Sequence, residues 1–457
     1  MEPVLTALAR LVAVTPEGAL ADGMREHATL VLADTVGAIL GGSHEAEIRR
    51  LHGGADRAVG PATVLGAGFP RVEPWWAIVA NGLAGTMLEL DEGNRFARGH
   101  PGIHVLPAAL AEAERLGRSG AALVAALVVG YDVAARLGGG APVRPGMHMH
   151  GVHGAVGAAA AVARLRELDA EVTARALGVA AGLTLGTSWR TALGGATVRN
   201  AYAGVAGANG WLAVDLAVAG ITPLPDMLDE IFGRISGTGL NSAAILDRLG
   251  ERFEISRNYF KRQACCRYNH PAVEAIEELL AATPVTPEEI LSIRVAASAL
   301  GATMSDRDPT GSLGAKFSIP YTLAARLVLG SWGDCGVSAF REPALSDARI
   351  RALAQRVEVV EDPALTAMTP GARPARVEMR LRDGRVLARQ VDQPLGEFDR
   401  PYPESLLREK FIALAGPDFE GPAARSAWEL CRRAGELKSA RDLTDGLRTL
   451  ATSRHLD

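Results

Sequence analysis

Up to about residue 250 the chain is dominated by Ala, Leu, Val and Gly, and its small apolar residues recur in helical periods, as in 108–116, 121–137 and 156–168. A helix that is apolar round most of its surface has to be buried on most sides, and Ala and Gly let neighbouring helix axes approach closely. This feature predicts helices packed on helices and argues against a doubly wound sheet.

The pattern changes after about residue 261. Residues 290–297 roughly alternate, 356–360 are rich in valine, and 375–391 read as two strands around Asp383-Gly384, a hairpin turn signal. Beyond Pro401 and Pro403, stretches 404–414 and 421–450 return to helical periodicity, so the C-terminal part is expected to pack back on the first. The predicted class is mainly α. A large all-helical domain takes 1–260 plus 401–457, and a smaller α+β domain takes 261–400.

Composition excludes several functions. With 457 residues and 48% hydrophobic content the chain can bury a large core. Its 48 basic and 52 acidic side chains, net −4, offer no broad electropositive surface, so no nucleic-acid partner is expected. The four cysteines show no paired CxxC spacing. The N-terminus lacks the basic and apolar regions of a signal peptide, and no apolar run of about 18 residues lacks charge and helix punctuation. A cytoplasmic protein without a membrane partner is the expectation.

Six of the ten histidines fall in three short segments, a biased placement for the usual proton carrier at neutral pH. In LDEGNRFARGHPGIH, Asp91 and Glu92 end a helical run, glycines break it, and His100-Pro101 opens another helix. Acid and imidazole can then face one another across a loop, although a helix-capping Asp91 and a hydrogen-bonded loop histidine fit the same pattern. In GMHMHGVHGAVG, His148, His150 and His153 form an HxHxxH run without a neighbouring carboxylate. It reads as a pocket wall at a helix N-terminus, where backbone N–H groups favour a carboxylate, and no metal is predicted. Arg199 precedes a small-residue helix, and Lys261, Arg262, Arg267 and His270 crowd into ten residues. Such cations suit a multiply charged anionic substrate.

Five ordered stretches carry a family resemblance. LDEGNRFARGHPGIHVLPAALAEAERLGRSGAALVAALVVGYDVAARLG resembles the MmgE/PrpD pattern of an acidic pair, an HP dipeptide and two helices. GMHMHGVHGAVGAAAA is similar to that family's GxHxTG segment, RNAYAGVAGANG to its basic residue and GxAAxxG helix, YFKRQACCRYNHPAVEA to its KxxPCCRxxHP segment, and AKFSIPYTLAARLVLG to its FSxPY helix. The family includes 2-methylcitrate dehydratase, cis-aconitate decarboxylase and iminodisuccinate epimerase. What the resemblance implies is a helical domain with the α+β domain as a lid, a cleft between them, a homodimer and no cofactor. The pocket residues it implies are Asp91, His100, His148 and Lys261 as catalytic groups and Arg199 and Tyr321 as substrate contacts; His150 and Asn94, beside them in the sequence, are expected as further substrate contacts.

There are departures. Glu92 stands where a second aspartate is common, Gly93 where a small hydroxyl residue is usual, Arg199 where lysine is common, and His150 replaces the threonine of GxHxTG. Arginine stays protonated, so Arg199 is expected to clamp a carboxylate and not to carry a proton. The function implied is that of a lyase, a dehydratase or decarboxylase of a small polycarboxylic acid, working by proton transfer beside a carboxylate, with His148 or His100 as base. An epimerase or isomerase of a dicarboxylate needs the same carbanion but no leaving group. A catalytically silent small-acid-binding protein needs the cations but not a positioned base.

Overall fold

The computed structural model describes residues 3–15, 20–53, 58–66, 68–333 and 335–451. The extremes of the predicted helical domain, 1–2 and 452–457, lie outside them. Helices dominate the described residues, with two two-stranded ribbons and one four-stranded sheet.

The Ala/Gly stretches form long buried helices, Pro101–Leu116, Gly120–Gly140, His153–Leu165 and Val198–Val218, each packed on others of the set. Close approach is a matter of glycine. A Cβ at Gly82 would stand 2.4 Å from Gly204 Cα, and one at Gly204 would stand 2.4 Å from the Val79 carbonyl oxygen. Because backbone rather than a flexible side chain is the neighbour, Gly204→Val should cost about 1–3 kcal/mol in denaturant unfolding by forcing apart Pro74–Thr86 and Val198–Val218. An unchanged unfolding midpoint would contradict this packing.

Gly120–Gly140 is long and apolar enough to cross a membrane, the one such helix among the described residues, yet 94% of its apolar window is buried inside the protein. Its charged residues are paired there, Arg136 Nε with Asp132 Oδ2 at 2.6 Å. This is the central helix of a packed core.

The strands fall where alternation and turn chemistry predict. Ile290–Ala297 runs parallel to Val357–Glu361 and antiparallel to Ala375–Leu381, which continues into Val386–Val391. Val295 faces Val377 and Ile293 faces Met379 in the register. Helix His270–Ala282 covers the hairpin. The C-terminal helices Glu404–Ala415 and Gly421–Arg432 pack on Asp22–Ser43, with Phe411 and Trp428 buried there. The stretch 421–450 is not one helix. Ser439 and Asp442 exchange hydrogen bonds across a new helix start, the Ser439 amide donating to Asp442 Oδ2 and the Asp442 amide to the Ser439 carbonyl, each at 3.0 Å, while the Arg441 amide donates to Ser439 Oγ at 3.2 Å. Ala440–Ala451 therefore begins afresh.

Candidate active site

The acidic loop lies between Pro74–Thr86 and Pro101–Leu116, and the helix before it ends at Thr86, five residues earlier than Asp91. Three buried cations hold the loop. Lys316 Nζ donates to the Met87 carbonyl at 2.7 Å, Lys410 Nζ to the Leu90 carbonyl and Asp34 Oδ1 at 2.6 Å each, and Arg199 Nη1 to Glu89 Oε1. Gly93–Asn94 then pairs antiparallel with Asn258–Tyr259, which brings Lys261 beside Asp91. A Cβ at Gly93 would stand 2.4 Å from the Tyr259 hydroxyl. Glycine at this departure from the family pattern is thus a steric requirement of the Tyr259 contact.

Asp91 and His100 do face one another. His100 Nδ1 lies 2.9 Å from Asp91 Oδ2 and donates to the Glu92 carbonyl at 2.7 Å. Asp91 is off the hydrogen-bond axis, since neither of its oxygens completes a hydrogen bond among the described residues. The division of labour follows. A carbonyl only accepts, so Nδ1 carries the proton and Nε2 keeps its lone pair, while Asp91 supplies charge. Nε2 lies 3.5 Å from the Tyr259 hydroxyl. Burial opposes ionisation of Asp91, but His100 and Lys261 outweigh it and hold the carboxyl well below its ordinary range. Lys261 Nζ is 3.6 Å from Asp91 Oδ1 and 3.9 Å from Glu89 Oε2, fully buried, with no hydrogen bond among the described residues. Burial lowers its affinity for a proton, and Asp91 and Glu89 more than restore it.

Glu92 behaves differently from its neighbour. Burial, only partly offset by the Tyr131 hydroxyl and the Gly102 amide, each at 2.8 Å, pushes it up to about 8. The folded state therefore holds a proton there that the unfolded chain releases near 4.5. The associated stability is full below that lower value and is lost as pH rises towards 8. Glu92→Gln, which mimics the protonated form, should raise the melting temperature relative to wild type more at pH 9 than at pH 6. An equal effect at both would contradict a protonated Glu92.

The other histidines of the cluster, His104, His148 and His150, are held below the ordinary imidazole range. His104 Nδ1 donates to the His100 carbonyl at 2.8 Å, and its Nε2 accepts the Gly151 amide at 3.1 Å; burial brings it down to about 4. His148 is flanked by two donors, the His150 amide at 3.0 Å from Nδ1 and Arg199 Nε at 3.3 Å from Nε2. Neither can accept from an imidazolium, and burial followed by the Arg199 charge drives His148 well below its ordinary value. His150 lies between His100, His104 and His148, with ring centroids 4.7, 5.2 and 4.8 Å away, and both its ring nitrogens lack a partner among the described residues. Asp91, His100 and His150 present donor atoms within 4.8 Å of one another, a possible metal-ligand triplet. The Lys261 ammonium against Asp91 opposes a second cation there. Burial pushes the nearby Cys266 thiol up to about 11, so it is not a nucleophilic thiolate.

Glu89, His100, His148, His150, Arg199 and Tyr259 line an inner chamber of about 30 Å³, room for about one water molecule. Asp91 and Lys261 lie behind its wall. A larger outer cavity of about 450 Å³ shares Arg98, Met149, Trp189, Tyr268 and Arg373 with the chamber, so these five residues form the throat between the two. Trp189 Nε1 donates to Thr303 Oγ1 across this throat at 3.2 Å.

Three expected substrate contacts need correction. Tyr321 is not in the cluster; its hydroxyl donates to the Ala339 carbonyl at 2.8 Å, and its ring packs in the core around the sheet. Asn94 is committed to backbone, its Oδ1 accepting the Phe96 and Ala97 amides of its own loop and its Nδ2 donating to the distant Glu254 carbonyl. Arg199 lines the chamber, but Nη1 is taken by Glu89 and Nε faces His148, so the expected two-point clamp has a resident competitor. Sequence reasoning missed Glu89, Tyr259 and Arg373. Glu89 was visible only as one more acid before Asp91, and its left-handed backbone, φ 54°, is a property of the folded loop.

The family model for the MmgE/PrpD N-terminal domain matches residues 6–238, and that for the C-terminal domain matches 264–433. The chain is 27% identical over 386 residues to a cis-aconitate decarboxylase of Aspergillus terreus, covering 78% of this chain and 77% of that protein. It is 26% identical over 378 residues to the cis-aconitate decarboxylase-like protein oryM of Aspergillus oryzae, covering 76% of each. Matched across both domains in order, this chain belongs to the MmgE/PrpD family.

Proposed function

We propose that the chain is a cofactor-independent lyase of small polycarboxylic acids, with release of CO2 from a cis-aconitate-like acid as the leading reaction and dehydration as its close variant. The observation that carries this reading is the His100 side chain, with its Nδ1 proton on the Glu92 carbonyl, Asp91 beside it, and Nε2 directed to the chamber and Tyr259. Of the two candidate proton carriers, His100 has an anion to stabilise its protonated form and His148 has only donors. His100 is therefore the proton carrier of this proposal, and His148 and His150 are hydrogen-bonding walls.

In the decarboxylation the bond between carbon and the departing carboxylate breaks, CO2 leaves, and its electron pair spreads into the adjacent double bond. His100, whose Nε2 lone pair first takes up a proton from solvent, then delivers that proton to the far carbon of that system. For dehydration the same nitrogen first removes a proton from the carbon beside a carboxylate and then gives it to the departing hydroxyl, which leaves as water. Lys261, behind the wall, keeps Asp91 ionised throughout. The likeness to decarboxylases supports this order of preference.

Proton NMR of the protein with cis-aconitate and with saturated hydroxytricarboxylates, in the presence of a chelator, tests the proposal. Loss of CO2 or water with steady turnover is expected. Inversion of a stereocentre without loss of a group would establish an epimerase instead. Turnover that stops on chelation and returns with metal would overturn the cofactor-independent account.

A further inference from the structure

The chamber's own charges cancel. Arg199 is paired with Glu89, and Lys261 sits between Glu89 and Asp91. The cations further out are also committed, Arg267 to Glu397 at 3.2 Å and Arg95 to Asp399 at 2.9 Å. A polycarboxylate entering this site therefore needs a positive charge that the inner cluster does not offer.

Arg373 supplies it. The residue lines both cavities, at the throat, and is 5% exposed. Its guanidinium lies 4.7 Å from the ring centre of Tyr259 and 5.1 Å from that of Tyr268, so its plane is held between two aromatic side chains. It hydrogen-bonds the Tyr259 side chain and feels the charge of Glu397 at longer range, but it makes no close ion pair among the described residues, and its Nη1 is buried without a hydrogen-bond partner. An unsatisfied buried donor on a charged group is costly unless something polar arrives to meet it. Arg98, exposed on the other side of the same throat, likewise has no ion pair among the described residues.

We infer that Arg373, assisted by Arg98, is the anchor for a substrate carboxylate remote from the reacting carbon, and so selects acids with two or more carboxylates over monocarboxylates. The inference rests on the lyase reading for its substrate class, and it deepens it. The reacting end would sit at His100, and the distal carboxylate would meet Arg373 at the throat. Tyr259 touches both ends, with His100 Nε2 at its hydroxyl and the Arg373 guanidinium over its ring, so filling the anchor bears on the acid/base end.

Calorimetric binding of tricarballylate, a saturated tricarboxylate, tests this without turnover. Arg373→Met keeps length and packing but removes the charge, and should weaken binding by about ten- to a hundredfold, the scale of hydrogen bonds to a charged group. It should also flatten the salt dependence of binding, which a merely structural residue would not do. Arg373→Lys should fall between the two, because it keeps charge without the two-point fork, and it serves as the working variant where the Met form folds poorly. Unchanged affinity in both variants, or a wild type that does not bind tricarballylate at all, would overturn the anchor. Arg373-dependent binding by a wild type that turns over no acid would uphold the anchor and sink the lyase proposal.

Discussion

His100→Ala is expected to lower kcat by about two to four orders of magnitude, the usual contribution of a positioned acid or base, with KM changed little. The expectation follows from which nitrogen is occupied. Nδ1 is held by a backbone carbonyl that no side-chain substitution elsewhere removes, and Nε2 is the only ring atom able to exchange a proton with a ligand. Asp91→Asn should cost less than His100→Ala, because it removes the charge beside the imidazolium and leaves the orienting bond to the Glu92 carbonyl intact. His148→Ala should cost least of the three. A rate loss in His148→Ala that equals the loss in His100→Ala would show that the proton carrier has been misassigned.

Lys261→Met should destabilise the fold by about 3–5 kcal/mol, the cost of leaving buried charge uncompensated. Asp91 and Glu89 lie 3.6 and 3.9 Å from its ammonium, and Arg199 alone cannot neutralise both. The diagnostic experiment is the double variant. Adding Asp91→Asn to Lys261→Met restores charge balance and should recover most of the unfolding free energy, while leaving the enzyme nearly inactive. If the double variant is as unstable as the single one, the loss came from packing and the electrostatic account of Lys261 is wrong.

Much of the fold was legible because it depends on local periodicity. The alternation at 290–297 and the Asp383-Gly384 turn correspond to observed strands and their turn, and the Ala/Gly runs to helices that share backbone contacts at Gly82 and Gly204. The Asp91–His100 meeting was also legible, since glycine breaks and a His-Pro helix start confine both to one loop. What sequence spacing could not convey was competition. Arg199 looks like an available clamp until Glu89, 110 residues away, is seen to hold it, and Asn94 looks like a ligand donor until its Oδ1 is seen to serve its own loop and its Nδ2 the distant Glu254 carbonyl. Tyr321 was carried over by resemblance alone, and its hydroxyl is taken by a main-chain carbonyl. Tyr259 and Arg373 reach the site from segments 114 residues apart, a juxtaposition set by the ribbon at Gly93–Asn94 and by the position of the sheet.

The central claim is that His100 moves a proton to or from the carbon beside a substrate carboxylate. Turnover of cis-aconitate in deuterium oxide, followed by NMR for wild type and His100→Ala at matched conversion, measures that transfer directly. The account predicts one deuterium at a single carbon of the product, in one configuration, at a rate that falls with kcat in the variant. Product formed without deuterium, or deuterium incorporated by the variant as fast as by wild type, would contradict it.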